Sequence, residues 1–131
     1  MRQLEIPVRV YYQDTDAGGV VFHAQYLAFM ERARTELLNH AGVDLARMAE
    51  ERGMQFMVSS LAVKYHRGAR LNELLAVSAE VVKIGRASVV FRQRVERSGE
   101  LLVEAEVTLA VVDRARMKPT RMPIELEQAL N

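Results

Sequence analysis

Cysteine is absent from the sequence, which removes disulfides, thiol nucleophiles and thiolate metal sites together. Net charge is almost absent too. Eighteen Lys and Arg against 17 Asp and Glu leave a formal +1, and such a total gives no support for nucleic-acid binding. No stretch is apolar for long enough to span a bilayer. The opening Met1-Arg2-Gln3-Leu4-Glu5-Ile6-Pro7 also lacks an apolar run of signal-peptide length, so the expected location is the cytoplasm. There is no internal repeat, low-complexity segment or linker. What is present is globular: 50% hydrophobic and 27% charged residues over 131 positions, enough for one domain, residues 1–131, with a core of its own.

Hydrophobic periodicity gives the order of elements. Leu4, Ile6, Val8, Val10 and Tyr12 alternate with more polar neighbours, as in a strand with one buried face. Pro7 favours an edge position for it. A helix is predicted from Ala24 to Ala41, its stripe made by Leu27, Met30, Leu37, Leu38 and Ala41, with Gly42 as its stop and Arg34 on the stripe as a snorkelling or paired charge. Asp44 to Arg52 reads as a shorter helix capped by Asp44 and ended by Gly53. Four strands then follow. The first changes phase at Ser59-Ser60, which predicts a bulge, and the second changes phase near Val82. Gly85-Arg86-Ala87 and Arg97-Ser98-Gly99 read as hairpin turns, the latter with three residues. Glu104 and Glu106 are expected opposite Arg92 and Arg94. Tight turns between successive strands imply antiparallel pairing. A helix burying its stripe on such a sheet gives a two-layer α+β fold, whose uncovered apolar surface predicts self-association.

Between the first strand and the long helix lies Tyr12-Gln13-Asp14-Thr15-Asp16-Ala17-Gly18-Gly19-Val20-Val21-Phe22-His23. A calcium loop beginning at Asp14 fails, because Gly18 and Gln25 stand where ligands are needed. An Asp-x-Asp phosphotransfer enzyme needs alternating strands and helices around a parallel sheet. A phosphate loop needs Lys-Ser or Lys-Thr after its glycines, and here Val20-Val21 follow. His23 and two aspartates make a thin metal set, so neither metal nor cofactor is expected. What remains is a carboxylate acting on a carbonyl held by free N–H groups at the helix start, around Phe22 and His23. An ordinary Asp, with a pKa of about 3.9, is a weak base. The matching substrate is a thioester, whose thiol, of pKa about 8.5, leaves as the thiolate.

The motif Tyr12-x-Asp14-Thr15-Asp16-x-x-Gly19-x-Val21-x-His23-x-x-Tyr26, followed by Glu31-x-Ala33-Arg34, resembles the signature of the YbgC-like branch of hotdog-fold acyl-CoA thioesterases, relatives of 4-hydroxybenzoyl-CoA thioesterase. Val111-Val112-Asp113 and Lys118-Pro119 are similar as well, so the resemblance runs through nearly the whole chain. It implies a hotdog fold, one long helix wrapped by a five-stranded antiparallel sheet, and homodimers or homotetramers with sites at the subunit interface. It further implies Asp16 as nucleophile or general base, the His23 N–H as the carbonyl-polarising donor, and the His23 imidazole as a group that orients substrate or water. The substrate implied is an acyl-CoA or acyl-carrier-protein thioester, in a context tied to the Tol-Pal envelope system and phospholipid metabolism.

Other residues carry two readings each. Asp14 is better read as a turn or cap than as a second acid. Tyr12, Gly19, Val21 and Tyr26 are candidates for the substrate pocket, although an aromatic in the first helical turn, such as Tyr26, is more often simply packed. Ser59 and Ser60 are plain bulge residues or groups used by a partner subunit. Lys83 and Arg86, then Arg114, Arg116, Lys118 and Arg121, are candidates for the CoA phosphates, although the last four equally suit a solvated exit loop. Met48, Met54 and Met57 are gap-fillers or an adaptable acyl surface. His40 and His66 are read as ordinary surface or strand residues. Two competing functions remain: a hydroxyacyl-thioester dehydratase, disfavoured by the lack of a His ahead of Asp16, and a non-catalytic acyl- or protein-binding hotdog module.

Overall fold

A computed structural model describes residues 1–131. Six strands, β1 (Gln3–Arg9), β2 (Met54–Tyr65), β3 (Leu74–Ile84), β4 (Ser88–Arg97), β5 (Glu100–Asp113) and β6 (Lys118–Pro119), form one antiparallel sheet. Its order is β1-β3-β4-β5-β2, with β6 beside β5. Three helices accompany it: α1 (Gln25–His40), α2 (Leu45–Arg52) and α3 (Ile124–Leu130). The α+β architecture of a long helix and an antiparallel sheet is as expected. The tail adds β6 and α3, where an exit loop was the reading.

One topological expectation fails. The strands from β2 onward are not all joined as hairpins, because β2 pairs with β5 and β3 pairs with β1. Residues 66–73 therefore cross from one edge of the sheet towards the other, and this crossing later proves to matter for the site. The β3–β4 hairpin forms as predicted. The β4–β5 turn has two residues instead of three: Ser98 (φ 48) and Gly99 (φ 80) both take left-handed backbone, the type I′ geometry that matches strand twist. Pro7 sits on an edge strand, and register shifts fall at Val58/Ser60 and Val81/Lys83, where the phase changes placed them.

The sheet buries one face. Val77, Ala79 and Val81 on β3 lie opposite Val95, Gln93 and Phe91 on β4, which in turn lie opposite Val103, Ala105 and Val107 on β5. Against them pack Tyr26, Phe29, Met30, Ala33, Leu37 and Leu38 of α1. Full burial of a side chain such as Phe29 or Phe91 contributes about 2–3 kcal/mol. The stripe is rotated from the predicted one: Phe29 and Tyr26 point inward, while Leu27 and Ala41 are only half-buried. Arg34 lies at its flank and is paired, its Nη1 donating to Gln93 Oε1 at 2.7 Å. Burial pulls that guanidinium below its ordinary value, against the opposing charge of Glu31.

Gln93 is fully buried in the central row of the sheet, between Ala79 and Ala105. Its Nε2 donates to the Met30 carbonyl of α1 at 2.9 Å and to the Ser78 carbonyl at 3.2 Å. A buried carboxamide would cost on the order of 1–3 kcal/mol if unsatisfied, and two of its three bonds here, to Met30 and from Arg34, depend on where the helix sits. On the outer face Arg92 and Arg94 stand opposite Glu106 and Glu104 as expected. They do not close those pairs: Arg94 approaches Glu96 at 4.0 Å, and Glu104 takes His66 at 3.4 Å. The helix ends are as read from sequence. Asp44 accepts from the Arg47 N–H at 3.0 Å, and Gly53 ends α2. No helix is long and apolar enough to cross a membrane.

Candidate active site

The first strand stops at Arg9, short of the predicted Tyr12, because a side chain intervenes. Asp14 Oδ2 accepts the Tyr11 N–H at 2.8 Å and Oδ1 accepts Gln25 Nε2 at 2.9 Å. Tyr12–Asp14 wind into a single 3-10 turn between them. Asp14 is 2% exposed, and its own carbonyl accepts the Phe22 N–H at 2.9 Å. Both functional groups of the residue are thus spent on joining the strand end to the helix start, the structural part proposed for it.

Asp16 differs in every respect. Its side chain is exposed, and Oδ1 accepts one N–H, from Gly18 at 2.8 Å, leaving Oδ2 with no partner. The backbone holds it firmly: its N–H donates to the Val20 carbonyl at 2.9 Å, its carbonyl accepts the Gly19 N–H at 3.1 Å, and Thr15 bridges Val21. Closing this turn puts Gly19 at φ +83, where a side chain is strained. A Cβ at Gly18 would stand 3.2 Å from Asp16 Oδ1, crowding the carboxylate. The two glycines therefore have separate tasks, one for the turn and one for room at the acid.

At the helix start the free donors lie one residue further on than expected. The Phe22 N–H is already taken by Asp14, whereas the N–H groups of His23 and Ala24 make no hydrogen bond in the chain. Two adjacent unsatisfied donors at the positive end of a 16-residue helix form a site for a developing negative charge.

The crossing segment supplies the other wall of the site. Val21 donates its N–H to the Ala69 carbonyl at 2.9 Å, Val20 bridges Arg70, and the Ala69 N–H donates to the Tyr26 hydroxyl at 2.8 Å. A shallow cleft of about 300 Å³ runs between them, lined by Val21, His23, Tyr26, Tyr65, His66, Arg67 and Gly68. Tyr26 belongs to both readings: it is 2% exposed, yet it borders the cleft. Burial pushes its phenol up from the ordinary value against the lowering effect of the Ala69 hydrogen bond, so it remains protonated at neutral pH and is no base. Beneath the cleft Arg97 binds Glu73 at 2.9 Å and Glu100 at 2.6 Å, and Arg67 binds Glu100 at 3.0 Å. Burial raises the Glu73 carboxyl, but hydrogen bonds from the Arg70 N–H and Arg97 outweigh it and hold the group below the usual carboxylate range.

The sequence-predicted residues separate into three groups. Asp16, Gly19, Val21, His23 and Tyr26 come together, and Tyr12 stands beside them with its side chain 81% exposed. Ser59 and Ser60 lie midway along the exposed edge strand β2, where Ser59 Oγ donates to the Thr108 carbonyl at 3.2 Å. Lys83 and Arg86 are at the wrong end of the sheet for this subunit's Asp16. Lys83 is nine positions along β3 from Leu74, which pairs with Arg9, so roughly 30 Å separates the two ends. Arg114, Arg116, Lys118 and Arg121 share that far end, beyond the end of β5. Tyr65, Arg67 and Arg70 are the residues that sequence reasoning missed. Their one sequence signal is a basic His66-Arg67-Gly68-Ala69-Arg70 run between two strands.

Comparison with known proteins identifies the family and the fold. The family model of the thioesterase superfamily matches residues 18–104. The chain is 46% identical over 125 residues to the acyl-CoA thioesterase YbgC of Haemophilus influenzae, covering 95% of this chain and 92% of that protein. It is 48% identical over 118 residues to the acyl-CoA thioester hydrolase YbgC of an Escherichia coli O6:H1 strain, covering 89% and 87%. The crystal structure of 4-hydroxybenzoyl-CoA thioesterase from a Pseudomonas strain superimposes with a TM-score of 0.90 over 98% of this chain and 99% of that one; at 19% identity it shows the fold alone. The non-catalytic reading gives way to these relatives: the chain belongs to the thioesterase superfamily, in its YbgC-like branch of hotdog acyl-CoA thioesterases, and is a thioester hydrolase.

Proposed function

We propose that the chain cleaves acyl-CoA thioesters with Asp16 as the reacting carboxylate and the helix start as the carbonyl's electrostatic partner. The observation that carries this reading is a contrast: of two carboxylates two residues apart, only Asp16 is exposed and has a free oxygen, and it stands on a pinned turn that leads through Val21 into the unsatisfied His23 and Ala24 N–H groups. The thioester oxygen accepts from those donors. Negative charge grows on it as the carbonyl carbon is attacked, and the fixed donors and helix dipole stabilise that charge. Asp16 either attacks the carbon itself, forming a mixed anhydride that water then opens, or takes a proton from the attacking water. In both routes the C–S bond breaks and the thiol leaves as the thiolate, with no acid needed to protonate it.

The edge strand β2 exposes Met57, Val58, Leu61 and Tyr65, and a groove of apolar side chains from Leu27, Met30, Val58, Leu61 and Val107 runs between it and α1. A twelve-residue unpaired edge of this kind invites a second copy of itself. The working unit in this reading is a homodimer or a homotetramer of two such dimers, with Ser59 and Ser60 at the seam. The CoA phosphates fall to Arg70, an exposed cation with no side-chain partner beside the Asp16–Val20 turn. Lys83 and Arg86 could reach a substrate only in another subunit's site. An acyl-carrier thioester presents the same pantetheine thiol and fits the same chemistry.

One experiment tests the part given to Asp16. A single turnover in H₂¹⁸O with excess enzyme labels the Asp16 carboxylate when water opens an anhydride at the enzyme's carbonyl, and labels the product acid alone when Asp16 acts as base or when the anhydride opens at the acyl carbon. Asp16→Asn removes turnover in either case, and an Asp16→Asn protein with full activity refutes the assignment.

A further inference from the structure

The start of α1 has a carbonyl as well as two free N–H groups to account for. The Phe22 carbonyl accepts the Gln25 N–H at 2.8 Å and the Ala24 carbonyl accepts the Leu27 N–H at 3.1 Å. The His23 carbonyl lies between them, outside the helical ladder, and takes its hydrogen bond from 42 residues away: the Tyr65 hydroxyl donates to it at 2.9 Å. The same ring meets the His23 imidazole edge-on at 6.4 Å and the Tyr26 ring at 5.9 Å. Tyr65 is the last residue of β2, and directly after it the chain is anchored by the His66 and Arg67 N–H groups donating to the Leu102 carbonyl at 2.8 and 3.1 Å. The hydroxyl is therefore presented from a fixed strand end and not from a mobile loop.

We propose that Tyr65 is a positioning residue for thioester hydrolysis, holding the His23–Ala24 peptide so that the free N–H groups at the helix start face the thioester oxygen. The peptide whose carbonyl Tyr65 binds is the one that carries the Ala24 N–H. A hydrogen bond to that carbonyl fixes the peptide plane and polarises the N–H at its other end. It also fixes the backbone between His23 and Ala24, and with it the angle between the two donors. Satisfying a lone carbonyl does not by itself need a tyrosine, since an ordered water makes the same bond. What water does not supply is a fixed direction. The inference rests on the helix-start reading given above.

The test is Tyr65→Phe, which deletes one oxygen and keeps both ring contacts. Steady-state hydrolysis is measured with the acyl-CoA turned over fastest in a panel of straight-chain and aryl acyl-CoAs. The expected result is a fall in kcat of about tenfold with KM within about twofold and the melting temperature unchanged. The spectroscopic arm uses the same acyl-CoA, ¹³C-labelled at the carbonyl and bound to Asp16→Asn, with the thioester C=O stretch read by difference infrared. It shifts to lower frequency in Asp16→Asn, and that shift is clearly smaller in Asp16→Asn/Tyr65→Phe. A Tyr65→Phe enzyme with kcat within twofold of the parent, or an undiminished shift in the double variant, overturns the role of Tyr65 and leaves the helix-start reading standing. The absence of any shift in Asp16→Asn alone overturns the helix-start reading itself. Tyr65→Leu separates packing from positioning: a structural role predicts that it loses stability while Tyr65→Phe loses nothing.

Discussion

The two ends of the sheet are made of similarly irregular chain, yet they are held together differently. At the end where β1 stops, segments distant in sequence fasten to one another: Val10 to Glu73 and Asn72, Val21 to Ala69, Phe22 to Asp14. At the other end the β3–β4 turn closes on itself through Gly85 and Ser88, and two N–H groups from later in the chain fasten to it, Val111 to the Ala87 carbonyl and Met122 to the Arg86 carbonyl. Charge is distributed just as unevenly. Most of the exposed cations that suggest phosphate binding in the sequence, Lys83, Arg86 and the tail arginines, decorate the hairpin end. The cross-tied end spends its ionic groups on a network, Glu73–Arg97–Glu100–Arg67, and leaves Arg70 over. Abundance of charge and the proposed reacting carboxylate therefore lie at opposite ends of the sheet.

The comparison predicts effects of very different size. The largest is Asp16→Asn, expected to lower kcat by about a hundredfold or more in a free-thiol assay while thermal unfolding barely moves. Asp14→Ala should do the reverse in kind. With the Tyr11 N–H and Gln25 left without their acceptor, urea unfolding should show a loss of about 2 kcal/mol, and any drop in activity should track the loss of folded protein. Next, Arg70→Ala should raise KM for acyl-CoA about fivefold while leaving KM for the matching N-acetylcysteamine thioester, which has no phosphates, unchanged. Equal effects on both substrates would remove Arg70 from phosphate binding. Smaller again is Glu73→Gln, expected to cost about 0.5 kcal/mol at neutral pH because the site is partly solvated. The Glu73 carboxyl is held below its ordinary value in the folded state, so its contribution is complete above the unfolded pKa and disappears as pH falls through the lower folded one. Parent and variant should converge in acid, below about pH 4. Last, Lys83→Ala and Arg86→Ala should leave stability and the single-subunit chemistry unchanged. A clear rise in KM for acyl-CoA would mean that the far end of one subunit serves the site of another, and would redraw the comparison between the ends.

Much of this was legible in the sequence where the signal is local. Periodicity, Pro7, the phase changes in β2 and β3 and the caps at Asp44 and Gly53 each depend on neighbours a few residues away. The motif from Tyr12 to Tyr26 was legible for the same reason, and so was the structural part of Asp14. What the sequence hid was whatever depends on strand order. Nothing in residues 66–73 announces that they cross the sheet instead of turning back, so Tyr65 and Arg70 looked like strand and loop residues remote from His23. Lys83 and Arg86 looked attractive because sequence distance says nothing about which end of a strand a residue occupies. Gln93 was invisible in a third way: it occupies an apolar phase between Phe91 and Val95, and two of its three partners, the Met30 carbonyl and the Arg34 guanidinium, belong to a helix about sixty residues earlier.

Gln93 also sets a length. Its carboxamide reaches the Met30 carbonyl and no other on α1, and accepts from Arg34 of the same helix, so a helix slid by one residue along the sheet, about 1.5 Å, would leave this fully buried amide with the Ser78 carbonyl as its one side-chain bond. The helix is thereby indexed against the sheet, much as a notch indexes a sliding bolt. The turn bearing Asp16 is tied, through Val20 and Val21, to the segment carrying Ala69 and Arg70, and that segment is tied in turn to β5. The gap between the acid and the helix-start donors is consequently measured out from the middle of the molecule, by a residue that touches neither.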